Sequence, residues 1–368
     1  MGSEDSSYGL SHVPDAEAVR GPELDYLPTM PTDYRPKIGL IGAGGISEYH
    51  LRAYQVMGLD VVAICDLDES RAIARRDAFY PDAMVTDDYR RVLAIDEIEV
   101  VDITTHPIER VPILDAALKA RKHVLSQKPF VEDLDDGERL VELAEQQGVK
   151  LAVNQNGRWA PHFRYLTLAV RHGVVGTVSS IDFAMQWDHT WTAGTTFEEI
   201  HHLLLYDFAI HWFDIATVLM EGQEPERIFA TVRHADYQQV KPPFLAQAVV
   251  DFPTAQVHLG LNAHVVWGQE DQTTIVGQAG TLRATGPSLN EQRVQLWTEA
   301  GYSPIQLAGC WFENGFQGTM GELLLAIEQD REPENSARSV LKSLELCFAA
   351  LASADRGEAV RPGEVRCI

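Results

Sequence analysis

The sequence predicts an α/β protein in two parts: a doubly wound parallel sheet, then an α+β region built on a large, mostly antiparallel sheet. Three observations carry this. From Pro36, short apolar runs alternate with helix-length amphipathic stretches as far as Asn156, the rhythm of strand–helix–strand crossovers. Beyond residue 220, runs of alternating polarity follow one another with only turn signals between them, which favours antiparallel pairing. The chain has 368 residues, enough for two cores.

Residues 1–35 are rich in Pro, Asp, Glu and Ser, without the basic start and apolar centre of a secretory signal. They read as an arm, flexible or clinging to the surface. Met1-Gly2-Ser3-Glu4-Asp5-Ser6 formally fits a myristoylation pattern, too short to argue from. The first globular part covers 36–157. "KIGLIG", "DVVAICD", "EVVDITT", "KHVLSQ" and "KLAVNQN" read as strands. Helices fall between them, the last ending at Gly148 as a natural stop. The second part covers 158–368. It opens with a helix at "PHFRYLTLAVRHG" and a strand at "TVSSIDFAMQW". The apolar stretch "FEEIHHLLLYDFAIHWFDIATVLM" predicts one long helix. Strand candidates follow at "ERIFATVRH", "FLAQAVVDF", "AQVHLGLNAHV", "QTTIVGQ", "GTLRAT" and "RVQLWTE", and two helices close the chain near 314–329 and 336–355.

Composition narrows the function. Lys plus Arg number 30 and Asp plus Glu 54, a formal charge of -24, which repels a phosphate backbone and argues against nucleic acid as a partner. No apolar run reaches membrane-spanning length. The four cysteines, Cys65, Cys310, Cys347 and Cys367, form no close pair. That argues against a disulfide framework or structural zinc and for a reducing cytoplasm.

"GLIGAGGIS" lies between the first strand and a helix. Gly42, Gly44 and Gly45 permit close approach of a pyrophosphate to backbone, and the helix opening at Ile46 offers free N–H groups. Ser47 stands where a third glycine is usual. Asp66 ends the next strand, some 20 residues on, where a carboxylate accepts ribose hydroxyls and repels a 2′-phosphate. The expected cofactor is therefore NAD, with NADP disfavoured. A bare glycine turn with a surface aspartate is the competing reading. The strand order of such a sheet puts Thr105, His106, Gln127, Lys128 and Asn156 on the same carboxyl edge, as further cofactor contacts.

Lys128 sits between Gln127 and Pro129 where a strand stops, and the proline restricts its direction and opens the way to a cis bond. In "YDFAIHWFD", Asp207 and His211 are four apart and so share a face of the expected helix. Taken alone, a buried His with an Asp one turn away is more often a core pair. Arg158, Trp159 and His189 are candidate substrate contacts with Asn156, His162, Trp187, Trp191 and His202 around them, although ordinary packing explains each one singly. A metal shared by His201, His202, Asp207 and His211 is disfavoured, because neighbouring residues of a helix project about 100° apart; no metal is expected.

These segments together resemble the Gfo/Idh/MocA family. "IGLIGAGGIS", "VAICD", "HVLSQKPF", "NGRWAPHFRYL", "YDFAIHWFDI" and "AALASADRGEAV" carry the resemblance, in order, from about Pro36 to Val360. Within the family, "QNGRWAPHFRYL" with "QKPF" is similar to bacterial pentose dehydrogenases. The family's Glu-Lys-Pro stands here as Gln127-Lys128-Pro129, so a role that needs the glutamate charge does not carry over. The resemblance implies a Rossmann domain and a sheet-based substrate domain that forms homodimers or homotetramers. It also implies Lys128, Asp207 and His211 as catalytic residues that bind a sugar or polyol. The expected activity is an NAD-dependent dehydrogenase with a Lys128/His211 acid–base pair. A glycoside-processing enzyme that recycles its NAD, and a non-catalytic NAD-binding regulator, are the alternatives.

Overall fold

A computed structural model of the chain describes residues 16–368; the myristoylation pattern lies outside them. The first sheet has six strands: β1 (Lys37–Ile41), β2 (Asp60–Cys65), β3 (Met84–Thr86), β4 (Ile98–Ile103), β5 (His123–Gln127) and β6 (Leu151–Asn154). Helices α1 (Ser47–Val56), α2 (Glu69–Phe79), α3 (Tyr89–Leu93), α4 (Pro107–Lys119) and α5 (Leu134–Gln147) connect them in turn. All pairings are parallel, in the order β3-β2-β1-β4-β5-β6. The order reverses between β1 and β4, the switch point at which such sheets bind ligands. In this sheet the elements missed by periodicity are β3 and α3, too short to display a period, as is the missed strand Gly301–Ile305 of the second sheet; α3 is held by Asp88, whose side chain accepts from the Arg90 N–H. Gly148 stops α5 at φ 67°, as expected.

The second part contributes α6 (Pro161–Arg171), β7 (Val178–Gln186), α7 (Ile210–Leu219), β8 (Arg227–Arg233), β9 (Leu245–Phe252), β10 (Ala255–Asn262), β11 (Glu270–Gly277), β12 (Gly280–Ser288), β13 (Glu291–Thr298), β14 (Gly301–Ile305), α8 (Trp311–Glu328) and α9 (Ala337–Arg356). Its eight strands run β14-β13-β12-β11-β7-β10-β9-β8, antiparallel except for β7 beside β10. One face packs against α6 and α9; the other is open, and Phe229 and Val276 project from it, both exposed. β14 carries Pro304 and lies at the edge, where a missing N–H does least harm. The arm covers that edge: Val19 N–H donates to the Tyr302 carbonyl and Tyr302 N–H to that of Glu17. Further along, the N–H groups of Thr32, Asp33 and Tyr34 converge on the Glu328 carboxylate. From residue 16 on, the arm clings.

Two findings differ from the sequence reading. The boundary at residue 157 is not clean, because α8 returns to the first sheet. Phe316, Met320, Leu323 and Leu324 of α8 share a core with Ile38 and Leu40 of β1 and Tyr54 of α1, each buried side chain contributing roughly 1.5–3 kcal/mol. Nor is 197–220 one helix. A 3₁₀ turn at Thr196–Glu199 is followed by His202 at φ 46°, a π turn at Leu204–Phe208 and only then α7. A stretch apolar on every face has no period from which such breaks could be read.

Candidate active site

The glycine loop fits a dinucleotide. Gly42 has φ 102°, and a Cβ there would meet Thr104 Oγ1 and Thr105 N at 2.9 Å, so no other residue fits. Gly44 and Gly45 face open space, and no side chain caps α1, which leaves its first N–H groups and positive dipole end for an anion. Asp66 accepts the Ala43 N–H at 2.6 Å and that of Asp68 at 2.9 Å, so its carboxylate is fixed beside the loop. Arg75, which reaches the same loop, is committed to Ser47 Oγ, Glu48 and the Gly44 carbonyl. At the neighbouring strand ends Thr105 Oγ1 and the whole Gln155 amide are buried without partners, available to a ligand lying along the edge. His106 is exposed at the start of α4 and makes no cap with its side chain.

Lys128 leaves the end of β5 through a cis peptide to Pro129. Its ammonium donates to Asp207 Oδ1 at 3.1 Å and to the Asp207 carbonyl at 2.9 Å. That carbonyl is accessible because it lies in the π turn, where the i→i−4 ladder is interrupted. Asp207 and His211 therefore do not share one regular helix, yet both stay close to Lys128. Burial and the Lys128 charge hold the His211 imidazole well below its ordinary pKa range. Its Nδ1 has no partner, and its ring stands edge-on to Trp311 at 5.6 Å. Trp311 in turn donates its indole N–H to Asn156 Oδ1 at 3.0 Å, which links the Asn156 strand end to the His211 side of the cleft.

An aromatic wall continues from there. Trp311, Trp212 and Trp187 follow at ring separations of 5.7 and 5.4 Å, and His189 stacks on Trp187 at 5.6 Å. Trp187 Nε1, Trp212 Nε1 and His189 Nδ1 are all buried without hydrogen-bond partners. Burial pushes His189 down to about 4 and His162 down to about 3; His162 is packed on Phe163 and Trp311.

The remaining candidates are placed elsewhere. Arg158 is not free for a substrate: its guanidinium is paired with Asp214 through two contacts of 2.6 Å and also donates to Ser339 Oγ and the Glu334 carbonyl. Trp159 is wedged against Gly318 of α8, 3% exposed. Trp191 is 55% exposed beside Phe197. His202 turns away to Asp355. The helical argument against a metal shared by His201 and His202 fails, since His202 takes a left-handed backbone conformation.

Two sets of positioning residues escaped the sequence reading. Arg110 is buried in α4 and donates to the carbonyls of Thr105, Gln127, Pro129 and Phe130, tying the two strand ends together. Burial lowers its pKa to about 9. The second set runs through the core. Tyr54 OH and His50 Nδ1 meet Asp102 Oδ2 at 2.6 and 2.8 Å. His50 Nε2 faces the amide nitrogens of Gln127 and Asn154 at 3.2 and 3.1 Å, so it accepts, and Nδ1–H donates to Asp102. Gln127 Oε1 accepts the Lys128 N–H at 2.7 Å. The neutral amide thus does locally what a carboxylate acceptor would do. The available signal was a histidine on the apolar face of α1.

A Rossmann sheet, an open helix terminus at its switch point and a charged cleft facing a second sheet define a nucleotide-binding oxidoreductase. Residues 36–155 match the model of the oxidoreductase family with an NAD-binding Rossmann fold, and residues 163–283 match the GFO/IDH/MocA C-terminal domain; the chain belongs to the Gfo/Idh/MocA family. It is 26% identical to D-apiose dehydrogenase of Paraburkholderia graminis over 90% of this chain and 91% of that one. It is 27% identical to inositol 2-dehydrogenase of Acidothermus cellulolyticus over 91% and 98%. Among solved structures, an oxidoreductase from Agrobacterium radiobacter in complex with NAD+, L-tartaric acid and magnesium superposes with a TM-score of 0.81 at 21% identity, over 90% and 99% of the two chains. A levoglucosan dehydrogenase does so at 0.78 and 17%, over 90% and 100%. At these identities the two superpositions establish the fold. No described helix is long and apolar enough to cross a membrane.

Proposed function

We propose that the protein is an NAD-dependent dehydrogenase that oxidises a hydroxyl of a monosaccharide, sugar derivative or cyclic polyol. The observation that carries this is the Lys128–Asp207 contact beside half-buried His211, at the same sheet edge as the glycine loop. When bound, the dinucleotide supplies the hydride acceptor. The chain supplies the proton chemistry. His211, neutral at pH 7, takes the hydroxyl proton. The Lys128 ammonium stabilises the negative charge that develops on the oxygen, and Asp207 orients Lys128 and binds a neighbouring hydroxyl. The four unpaired ring nitrogens of His189, Trp187, Trp212 and His211 favour a ligand with several hydroxyls.

Asp66 supports NAD over NADP, since its fixed carboxylate repels a 2′-phosphate. The open face of the second sheet, with Phe229 and Val276 exposed on it, is where we place association of copies into a dimer or tetramer, testable by light scattering. The decisive experiment is a panel of pentoses, D-apiose first, with hexoses and inositols, monitored by NADH absorbance. Stoichiometric NADH from one of them is expected. Turnover without net NADH would reassign the protein as a recycling enzyme, and NAD binding without any turnover would reassign it as a regulator.

A further inference from the structure

We propose that His201, His202 and Asp355 form a site for one divalent transition-metal ion of the zinc class, away from the cleft described above. Both imidazoles turn Nε2 toward the same carboxylate on the last turn of α9. His201 lies 3.1 Å from each carboxylate oxygen and His202 2.8 Å from Oδ1. The three donor groups lie within 4.8 Å of one another. A tetrahedral ion bound at about 2.0–2.1 Å spaces its ligand atoms about 3.3 Å apart, so the two histidine–carboxylate separations need to open by only a few tenths of an ångström.

The backbone is arranged for this convergence. Adjacent residues of a strand or helix cannot aim their side chains at one point, but His202 at φ 46° brings the two rings to a centroid distance of 3.9 Å. Such a conformation is unfavourable for a residue other than glycine.

Two imidazoles and one carboxylate are a ligand set for zinc, cobalt or nickel rather than for magnesium or calcium, which prefer oxygen throughout. The site opens on a groove of about 450 Å³ that Glu132, Glu199 and Cys367 also line, so two carboxylates and a thiol lie within the same groove. The net charge of -24 raises the local cation concentration.

The ion would join the segment before the π turn to α9. Cys347, two turns back along α9, already donates to the Leu205 carbonyl, and Asp207 follows His202 by five residues. A bound ion is therefore a staple on the segment that presents Asp207. This inference does not depend on the dehydrogenase reading.

The test uses the full chain without a histidine tag, stripped with a chelator and titrated with Zn²⁺ by calorimetry and with Co²⁺ by visible absorption. We expect one equivalent of either ion, intense tetrahedral Co²⁺ bands that Zn²⁺ abolishes, and slower proteolysis between residues 196 and 203 once Zn²⁺ is bound. Outer-shell partners alone typically contribute roughly 10–100-fold in metal affinity, so His201→Ala and Asp355→Asn should each weaken binding at least that much. His234→Ala, whose ring contacts the Lys241 carbonyl, should bind as wild type. Circular dichroism of His201→Ala, an exposed position, separates loss of the site from loss of the fold. Absence of a stoichiometric ion in the wild type, or wild-type titration by the His201 and Asp355 variants, overturns the proposal.

Discussion

Lys128 and Asp207 are joined twice: the ammonium reaches both the carboxylate, at 3.1 Å, and the main-chain carbonyl, at 2.9 Å. The lysine comes from the end of a Rossmann strand and the aspartate from a π turn that precedes α7. The two side chains are 18% and 17% exposed, buried enough to fix the geometry and open enough to meet a small molecule. Lys128→Ala and His211→Ala should each lower turnover by roughly 10²–10⁴-fold, while calorimetric NAD affinity persists. Wild-type turnover by either variant on a verified substrate would remove the assignment.

Asp66 tests the cofactor preference. Its carboxylate, fixed by the Ala43 N–H, is the proposed acceptor for the ribose hydroxyls, and a hydrogen bond to a charged group is worth about 1.5–3 kcal/mol. Asp66→Ala should therefore lower kcat/KM for NAD by roughly 10- to 100-fold and narrow the gap to NADP. An unchanged ratio of kcat/KM for the two cofactors would show that discrimination lies elsewhere.

Gln127 replaces the family's glutamate as an acceptor for the Lys128 N–H and for Asn154. Gln127→Glu keeps both acceptances, loses the N–H that faces His50 Nε2, and should retain more activity than a variant without either acceptor. Gln127→Leu strands two buried donors at a cost of about 1–3 kcal/mol and should lose turnover more than NAD affinity. Equal activity of the two variants would contradict this role.

Arg158 is predicted to matter for stability, not for substrate KM. It and Asp214 are 5% and 2% exposed, and removing one partner of a buried pair costs about 3–5 kcal/mol. Asp214→Ala should lower the melting temperature clearly; an unmoved melting curve would count against the pair as a structural tie.

Asp271 gives stability a pH dependence. It is 2% exposed, Oδ1 has no partner, and burial pushes its carboxyl up to about 7. The folded state therefore favours the protonated form. This contribution is complete below the unfolded value of about 4 and disappears as pH rises through 7. Asp271→Asn should match wild type near pH 4 and exceed it at pH 8 by up to about 4 kcal/mol. Denaturant midpoints at both pH values check this, and a gain of equal size at both would exclude the titration.

Local sequence determined much of this protein. Alternating strand and helix patterns, the glycine loop, Asp66 and the lysine at a strand end all follow from chemistry within a few residues of one another, so the places of Lys128 and of the glycine loop at strand ends were legible. Other features depended on contacts between distant segments. Arg158 reads as a candidate ligand until Asp214, 56 residues away, takes up its guanidinium. Trp159 reads likewise until α8 packs against it. The π turn, the left-handed His202 and the approach of Asp355 lie in or beside an apolar stretch without a period. Only its packing against α9, itself laid on the second sheet, selects its path. Periodicity specifies which face of an element is buried; it contains no information on which distant group will satisfy a charge, and tertiary structure alone decided that.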